Sequence, residues 1–195
     1  MNRSAQVKRT TAETDIDLTF TLDGKGETDI KTGIGFMDHM LTLMCKHGFL
    51  NMILNCKGDI EVDGHHTVED IGIALGKAFK TALGNRSKIS RYGTVLTPMD
   101  ESLALIALDI SGRAFLHFDA VFDTPRLGDF DTELVEEFMR AFTNHAEVTL
   151  HIKLLYGKNN HHKIEAIFKG FGRAIDQATA VQNRIDGVLS TKGIL

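Results

Sequence analysis

The residues best suited to chemistry occur twice. His65-His66-Thr67-Val68-Glu69 opens one stretch, and His161-His162-Lys163-Ile164-Glu165 opens another 96 positions later. At that offset His65 and His161, His66 and His162, and Glu69 and Glu165 are identical. So are Ile71 and Ile167, Gly76 and Gly172, Ala78 and Ala174, and Ala82 and Ala178. Agreement on this scale marks an internal duplication. Neighbouring residues on a helix diverge by roughly 100°, whereas positions three and four apart share a face. Adjacent imidazoles therefore do not easily chelate one ion, but each glutamate reaches a metal held by either of its histidines. Each motif is built to touch two metals, or one metal from each of two copies. A histidine pair near a helix start with an acid in the first turn also suits the helix dipole with no ligand at all. Repetition of all three donors, with apolar helical stripes behind them, argues for metal.

Further donors come from the helices that precede the motifs. An offset of 98 sets His39 opposite Glu137, Met40 opposite Phe138 and His47 opposite His145. Each half then offers four ligands: His39, His65, His66 and Glu69 from one, Glu137, His161, His162 and Glu165 from the other. Imidazole and carboxylate without thiolate suit Mn, Fe or Zn in a catalytic setting, and this many ligands favours octahedral Mn2+ over tetrahedral Zn2+. His117 and His151 read as structural.

The elements that must position these side chains follow from periodicity. Residues 14–22 alternate polar and apolar as a half-buried strand, with a turn at 23–26 and a short strand at 28–31. Residues 36–46 carry Phe36, Met40, Leu43 and Met44 at helical spacing, ended by Gly48. Strands are expected at 50–57 and 60–62, then the first double-histidine helix with its stripe of Ile71, Leu75, Ala78, Phe79 and Ala82. The plan repeats with strands at 102–110 and 114–118, a helix at 132–144, a strand at 147–155 and the second double-histidine helix. The tail, 183–195, is expected to be mobile until something holds it. The fold class is α+β: a single unit of two duplicated halves, about 1–90 and 91–195, each a roughly four-stranded sheet backed by two helices.

Composition narrows the partners. A net charge of −4 gives no invitation to nucleic acid or to an anionic membrane surface. No run approaches ~18 consecutive apolar residues, so no membrane span is expected. The basic start, residues 1–9, lacks the apolar stretch of a secretion signal. Cys45 and Cys56 form no C-x-x-C pair and read as reduced thiols, and the expected location is cytoplasmic.

Phe36-Met37-Asp38-His39-Met40, Asp63-Gly64-His65-His66-Thr67-Val68-Glu69-Asp70, His161-His162-Lys163-Ile164-Glu165-Ala166 and Ser190-Thr191-Lys192-Gly193 resemble the imidazoleglycerol-phosphate dehydratase family. The similarity runs from Thr11 to the C-terminus. It implies a carbon–oxygen hydro-lyase of histidine biosynthesis that converts D-erythro-imidazole glycerol phosphate to imidazole acetol phosphate and water. It implies two Mn2+ per active site and halves of the ribosomal S5 domain 2-like fold. It also implies a homo-oligomer of 24 subunits built from trimers, with active sites where subunits meet. Two departures stand out: many relatives carry His at the place of Glu137, and the family's proline before the tail motif is Leu189 here.

The implied reaction fits the donors. It removes a carbon-bound proton that no carbonyl acidifies, so the imidazole ring itself must be the electron sink. Two metal ions bridged by the ring favour its deprotonation, and the imidazolate can expel hydroxide through a diazafulvene-like intermediate. Glu165 is the candidate for proton transfer, with Glu69 its twin, and Glu13 matches the family's substrate-contacting glutamate. Arg91 and Arg113 match its phosphate-side arginines, and Lys169, Ser190 and Lys192 match the remaining contacts. Two other readings use the same ligands: a di-metal hydrolase activating a bridging water, and a non-catalytic protein whose ions cross-link subunits.

Overall fold

The computed structural model describes residues 3–194; Met1 and Asn2 of the basic start and Leu195 of the tail lie outside the described residues. The strand Thr14–Thr21 (β2) shows why a sheet forms. Its alternation buries Ile16, Leu18 and Phe20 at 1% exposure or less and turns Asp15 and Asp17 outward. It pairs antiparallel with Ser4–Thr10 (β1) and Asn51–Gly58 (β4), and Thr28–Lys31 (β3) joins β4 in parallel, giving the order β1-β2-β4-β3. The second sheet repeats that plan. Tyr92–Met99 (β5), Ser102–Asp109 (β6), Phe115–Asp119 (β7) and Thr149–Tyr156 (β10) take the order β5-β6-β10-β7, again with only the last pair parallel. A two-residue ribbon, Arg126–Leu127 (β8) with Phe130–Asp131 (β9), lies outside both sheets.

Four helices lie between the sheets: Gly35–Gly48 (α1), His65–Leu83 (α2), Leu134–Ala146 (α3) and Asn160–Thr179 (α4). The mixed α+β architecture with two four-stranded sheets is the one expected. The helices pair across the duplication, α1 on α4 and α2 on α3. The repeated glycines explain how closely they cross. A Cβ on Gly76 would lie 2.7 Å from the Phe142 carbonyl oxygen, and one on Gly172 would run into the Met44 carbonyl, its carbon 2.9 Å away. Phenylalanine fills the remaining space, with Phe142 5.5 Å from Phe79 and 5.0 Å from Phe171, and Phe138 5.5 Å from Phe168, ring centre to ring centre. All five are fully buried, each stabilising the core by roughly 1.5–3 kcal/mol.

Two expectations need correction, and two strands of the four-stranded sheets were not anticipated. Residues 60–62 are not a strand but a turn closed by the Val62 N–H donating to the Asp59 carbonyl at 2.9 Å. Both edges of β4 are already taken by β2 and β3, so Ile60 and Val62 stay largely exposed. β1 and β5 go unread as strands in the sequence because their inner faces are poor in large apolar residues: β1 buries only Ala5 fully, and the buried positions of β5 are Gly93, Val95 and Thr97. The tail is tethered rather than loose: Lys88 N–H donates to Gly187 O and the Arg91 guanidinium to Leu189 O, both at 2.7 Å.

Candidate metal centre

The two double-histidine helices begin alike. Asn159, the N-cap of α4, accepts from the His161 N–H at 2.9 Å, and Asp63 accepts from the His65 N–H at 2.8 Å. Each side-chain oxygen satisfies one orphan backbone donor of the first turn and so fixes where the helix, and the histidine on it, begins. Asp70, buried, ties α2 to the sheet by accepting from Arg9 at 2.6 Å and from the Thr14 hydroxyl at 2.5 Å. Asp38 holds the start of α1 through the Thr32 N–H at 2.9 Å.

Because α1 packs on α4, His39 meets the second motif. His161 Nε2 is 2.9 Å and His39 Nε2 3.4 Å from the same Glu165 Oε1, and the two rings lie 5.7 Å apart. Glu165 is nearly buried, and its other oxygen is 2.5 Å from Lys169 Nζ. Burial pushes its carboxyl upward, but Lys169, aided by His39 and His161, outweighs that and holds it below the ordinary carboxylate range. Phe36 packs edge-on to His161, ring centres 5.2 Å apart. A cavity of about 740 Å³ opens beside His39 and His161, walled by Ile34, Phe36, Ile60 and Phe130.

Because α2 packs on α3, Glu137 meets the first motif. One donor atom each from His65, Glu69 and Glu137 lies within 4.8 Å of the others, as holds for His39, His161 and Glu165. The candidate donor groups therefore cross the halves, with His39 and Glu137 each standing beside the other half's motif. Two trios of imidazole and carboxylate, each gathered around one point, suit a divalent ion of the Mn or Zn type.

The second histidine of each motif joins neither trio. His66 Nδ1 is 3.0 Å from Asp59 Oδ2, with its Nε2 3.8 Å from Glu13; His162 Nδ1 is 2.8 Å from Glu101 Oε2, with its Nε2 3.9 Å from Asp100. In the neutral ring Nδ1–H donates to the carboxylate, which leaves Nε2 and its lone pair available as an acceptor or donor atom. The same hydrogen bonds, to Asp59 and to Glu101, raise the pKa of both imidazoles.

The remaining site candidates separate into two places. Arg91, Arg113, Ser190 and Lys192 line one cavity of about 1010 Å³, joined there by Arg184. Arg91 is fixed by Asp109 at 2.7 and 3.2 Å, lies 4.8 Å over the Tyr92 ring, and sits at φ +71. The Asp109 hydrogen bond raises its pKa further. Lys169 is not in this cavity but on Glu165, with Met99 Sδ 3.1 Å away. Sequence reasoning left out Asp59, Glu101, Asp109 and Arg184. Glu101 lies 61 residues from the histidine it touches, and no short-range spacing signals such a pair.

Residues 32–175 match the family model of imidazoleglycerol-phosphate dehydratase. The chain belongs to that family. Curated dehydratases from Clostridium novyi (strain NT) and Acetivibrio thermocellus are 62% and 56% identical to it, the first over 96% of this chain and 95% of its own, the second over the full length of both. The crystal structure of the dehydratase from Staphylococcus aureus subsp. aureus N315 superposes with a TM-score of 0.84 at 42% identity, covering 92% of this chain and 99% of its own. The Pyrococcus furiosus structure, in complex with (S)-C348, gives 0.82 at 36% identity over 97% and 100%. The chain is thus an imidazoleglycerol-phosphate dehydratase by family, a lyase that dehydrates imidazole glycerol phosphate in histidine biosynthesis. No helix among the described residues is long and apolar enough to cross a membrane.

Proposed function

We propose that the dehydration takes place on two Mn2+ per active site, one held by His39, His161 and Glu165 and the other by His65, Glu69 and Glu137. His66 and His162, turned to carboxylates and outside both trios, are offered to a neighbouring copy and complete its ligand sets. The observation that carries this reading is the pair of three-donor groups, each assembled from both halves. When bound, the ions supply Lewis acidity to the ring nitrogens of the substrate.

The chain's own residues do the rest. Glu165, ionised beside Lys169 and within reach of two imidazoles, is positioned to take and return the proton. Glu69 has no such cation, because Ile73 stands where the second motif has Lys169, and its role is that of ligand. Glu13, next to His66 Nε2, is assigned to the substrate ring or hydroxyls. Arg91, Arg113, Ser190 and Lys192 hold the phosphate, the planar guanidinium of Arg91 kept in place by Asp109. We assign Lys169 to Glu165 rather than to phosphate.

Association into a homo-oligomer, on the proposed reading 24 subunits built from trimers, is supported by Ile53, Leu96 and Phe115, strand residues more than half exposed on the single subunit. The deciding experiment is Mn2+ reconstitution of the stripped chain followed by turnover of imidazole glycerol phosphate, watched in the ultraviolet for the enol or ketone product. Phosphate release without that product favours a hydrolase. Sizing in chelator separates the third reading: unchanged assembly with lost turnover removes metal-linked association.

A further inference from the structure

The two metal groups are copies that differ at two aligned positions, and both differences act in the same direction. His39 in one trio stands where Glu137 stands in the other. Lys169, ion-paired with Glu165 at 2.5 Å, stands where the first motif has the apolar Ile73. The His39 group therefore offers two imidazoles and a carboxylate whose charge Lys169 already balances. The His65 group offers one imidazole and two carboxylates. Glu133, Glu136 and Arg140 line the hollow beside it, and the Arg140 guanidinium is engaged by Glu136. A dication thus meets a formal donor charge of −2 in one group and of −1 in the other, where the ion must also displace or tolerate a lysine. Oxygen donors suit Mn2+, whereas imidazole shifts preference toward Zn2+. One further imidazole from His66 or His162 adds the same neutral nitrogen to either group and leaves the difference standing.

We propose that the two sites are unequal: the His65–Glu69–Glu137 group takes Mn2+ first and holds it more tightly, while the His39–His161–Glu165 group fills second and is the one that yields to Zn2+. This rests on the two-metal reading above.

The test is a Mn2+ titration of the metal-stripped full chain, with free Mn2+ followed by electron paramagnetic resonance. Two classes of one ion per chain are expected, separated by roughly tenfold or more in Kd, about 1.4 kcal/mol. Glu137→His should weaken the tight class and narrow the gap. Lys169→Met should act on the other class and tighten it, so a folding defect, which weakens both, cannot imitate the pattern. Added Zn2+ should release the loosely held ion before the tight one. Two ions binding with a single affinity, or Glu137→His weakening the looser class, would overturn the ordering while leaving two metals per chain. Saturation at fewer than two ions per chain would instead overturn the two-metal reading itself, and the ordering with it.

Discussion

The crossing of α2 on α3 gives a prediction whose size follows from coordinates. Replacing Gly76 by Ala adds a Cβ that meets the Phe142 carbonyl oxygen at 2.7 Å, the His145 Cβ at 2.9 Å and the Ala146 nitrogen at 3.0 Å, in a range where ordinary contacts begin near 3.4 Å. Two of those atoms are backbone, so α3 must retreat by a few tenths of an ångström. Overpacking of this kind costs about 1–3 kcal/mol, and replacing a mid-helix glycine with alanine returns about 1 kcal/mol of helix propensity. The net loss is about 1 kcal/mol, or ~2–4 °C in Tm for a chain of this size. Gly172→Ala should lose more, because its neighbours are the backbone of Met44 and Gly48 and the overlap is deeper. Gly35→Ala, with nothing within 4 Å, is the control and should match or exceed the parent. Thermal melts in chelator at fixed protein concentration measure all three. The retreat of α3 also moves Glu137 relative to His65 and Glu69, and ligand positions tolerate only about 0.2 Å, so Gly76→Ala should weaken Mn2+ binding as well. A Gly172→Ala chain that melts at or above the parent temperature would refute the close-crossing argument.

Other outcomes are open to simple assays. Glu165→Gln should retain much of the metal binding and lose turnover by orders of magnitude; near-normal turnover would remove Glu165 as the proton carrier. Glu101→Gln deprives His162 of the carboxylate that orients it, and should weaken metal binding about 10–100-fold with the fold intact, read by metal titration beside a melting curve. Burial pushes both thiols up to about 12, with Asp70, Asp15 and Asp38 adding to the effect at Cys56. At about pH 8 only about one in ten thousand is thiolate, so neither should react with a chromogenic disulfide until the chain is unfolded. Rapid labelling of the native protein would contradict that environment.

What could be read before the fold was known depended on whether the signal was local. The double-histidine helices were legible because their ligands and apolar stripe recur at a fixed offset, and β2 because one face is buried along its length. β1 was not, since an outer strand carrying Lys8 and Arg9 buries little and alternates weakly. Residues 60–62 look like a strand by composition, yet no free edge of β4 remained to receive them. The site candidates were legible as residue types but not as groups. The duplication makes each half look self-sufficient, and only the packing of α1 on α4 and α2 on α3 brings His39 to His161 and Glu137 to His65. Asp59 left no mark in the sequence, and the Asp100-Glu101 pair could be noted there as acids able to join the site but not assigned to it, because only folding sets Asp59 and Glu101 against an imidazole.

That exchange of helices has an energetic consequence. A half folded alone would carry a complete histidine motif but lack the third donor of its trio, so neither half can bind its ion as the pair does. On the proposed reading each ion fastens a helix of one half to a helix of the other, at the two helix crossings where glycine lets the backbones approach closely. An ion that binds only this arrangement stabilises it by about 2.7 kcal/mol when present at a hundred times its Kd, and two ions do so independently at α1/α4 and α2/α3. Metal is then both a reagent and a fastener. The close helix crossings and the ligand groups are coupled, and a substitution that loosens either one loosens the other.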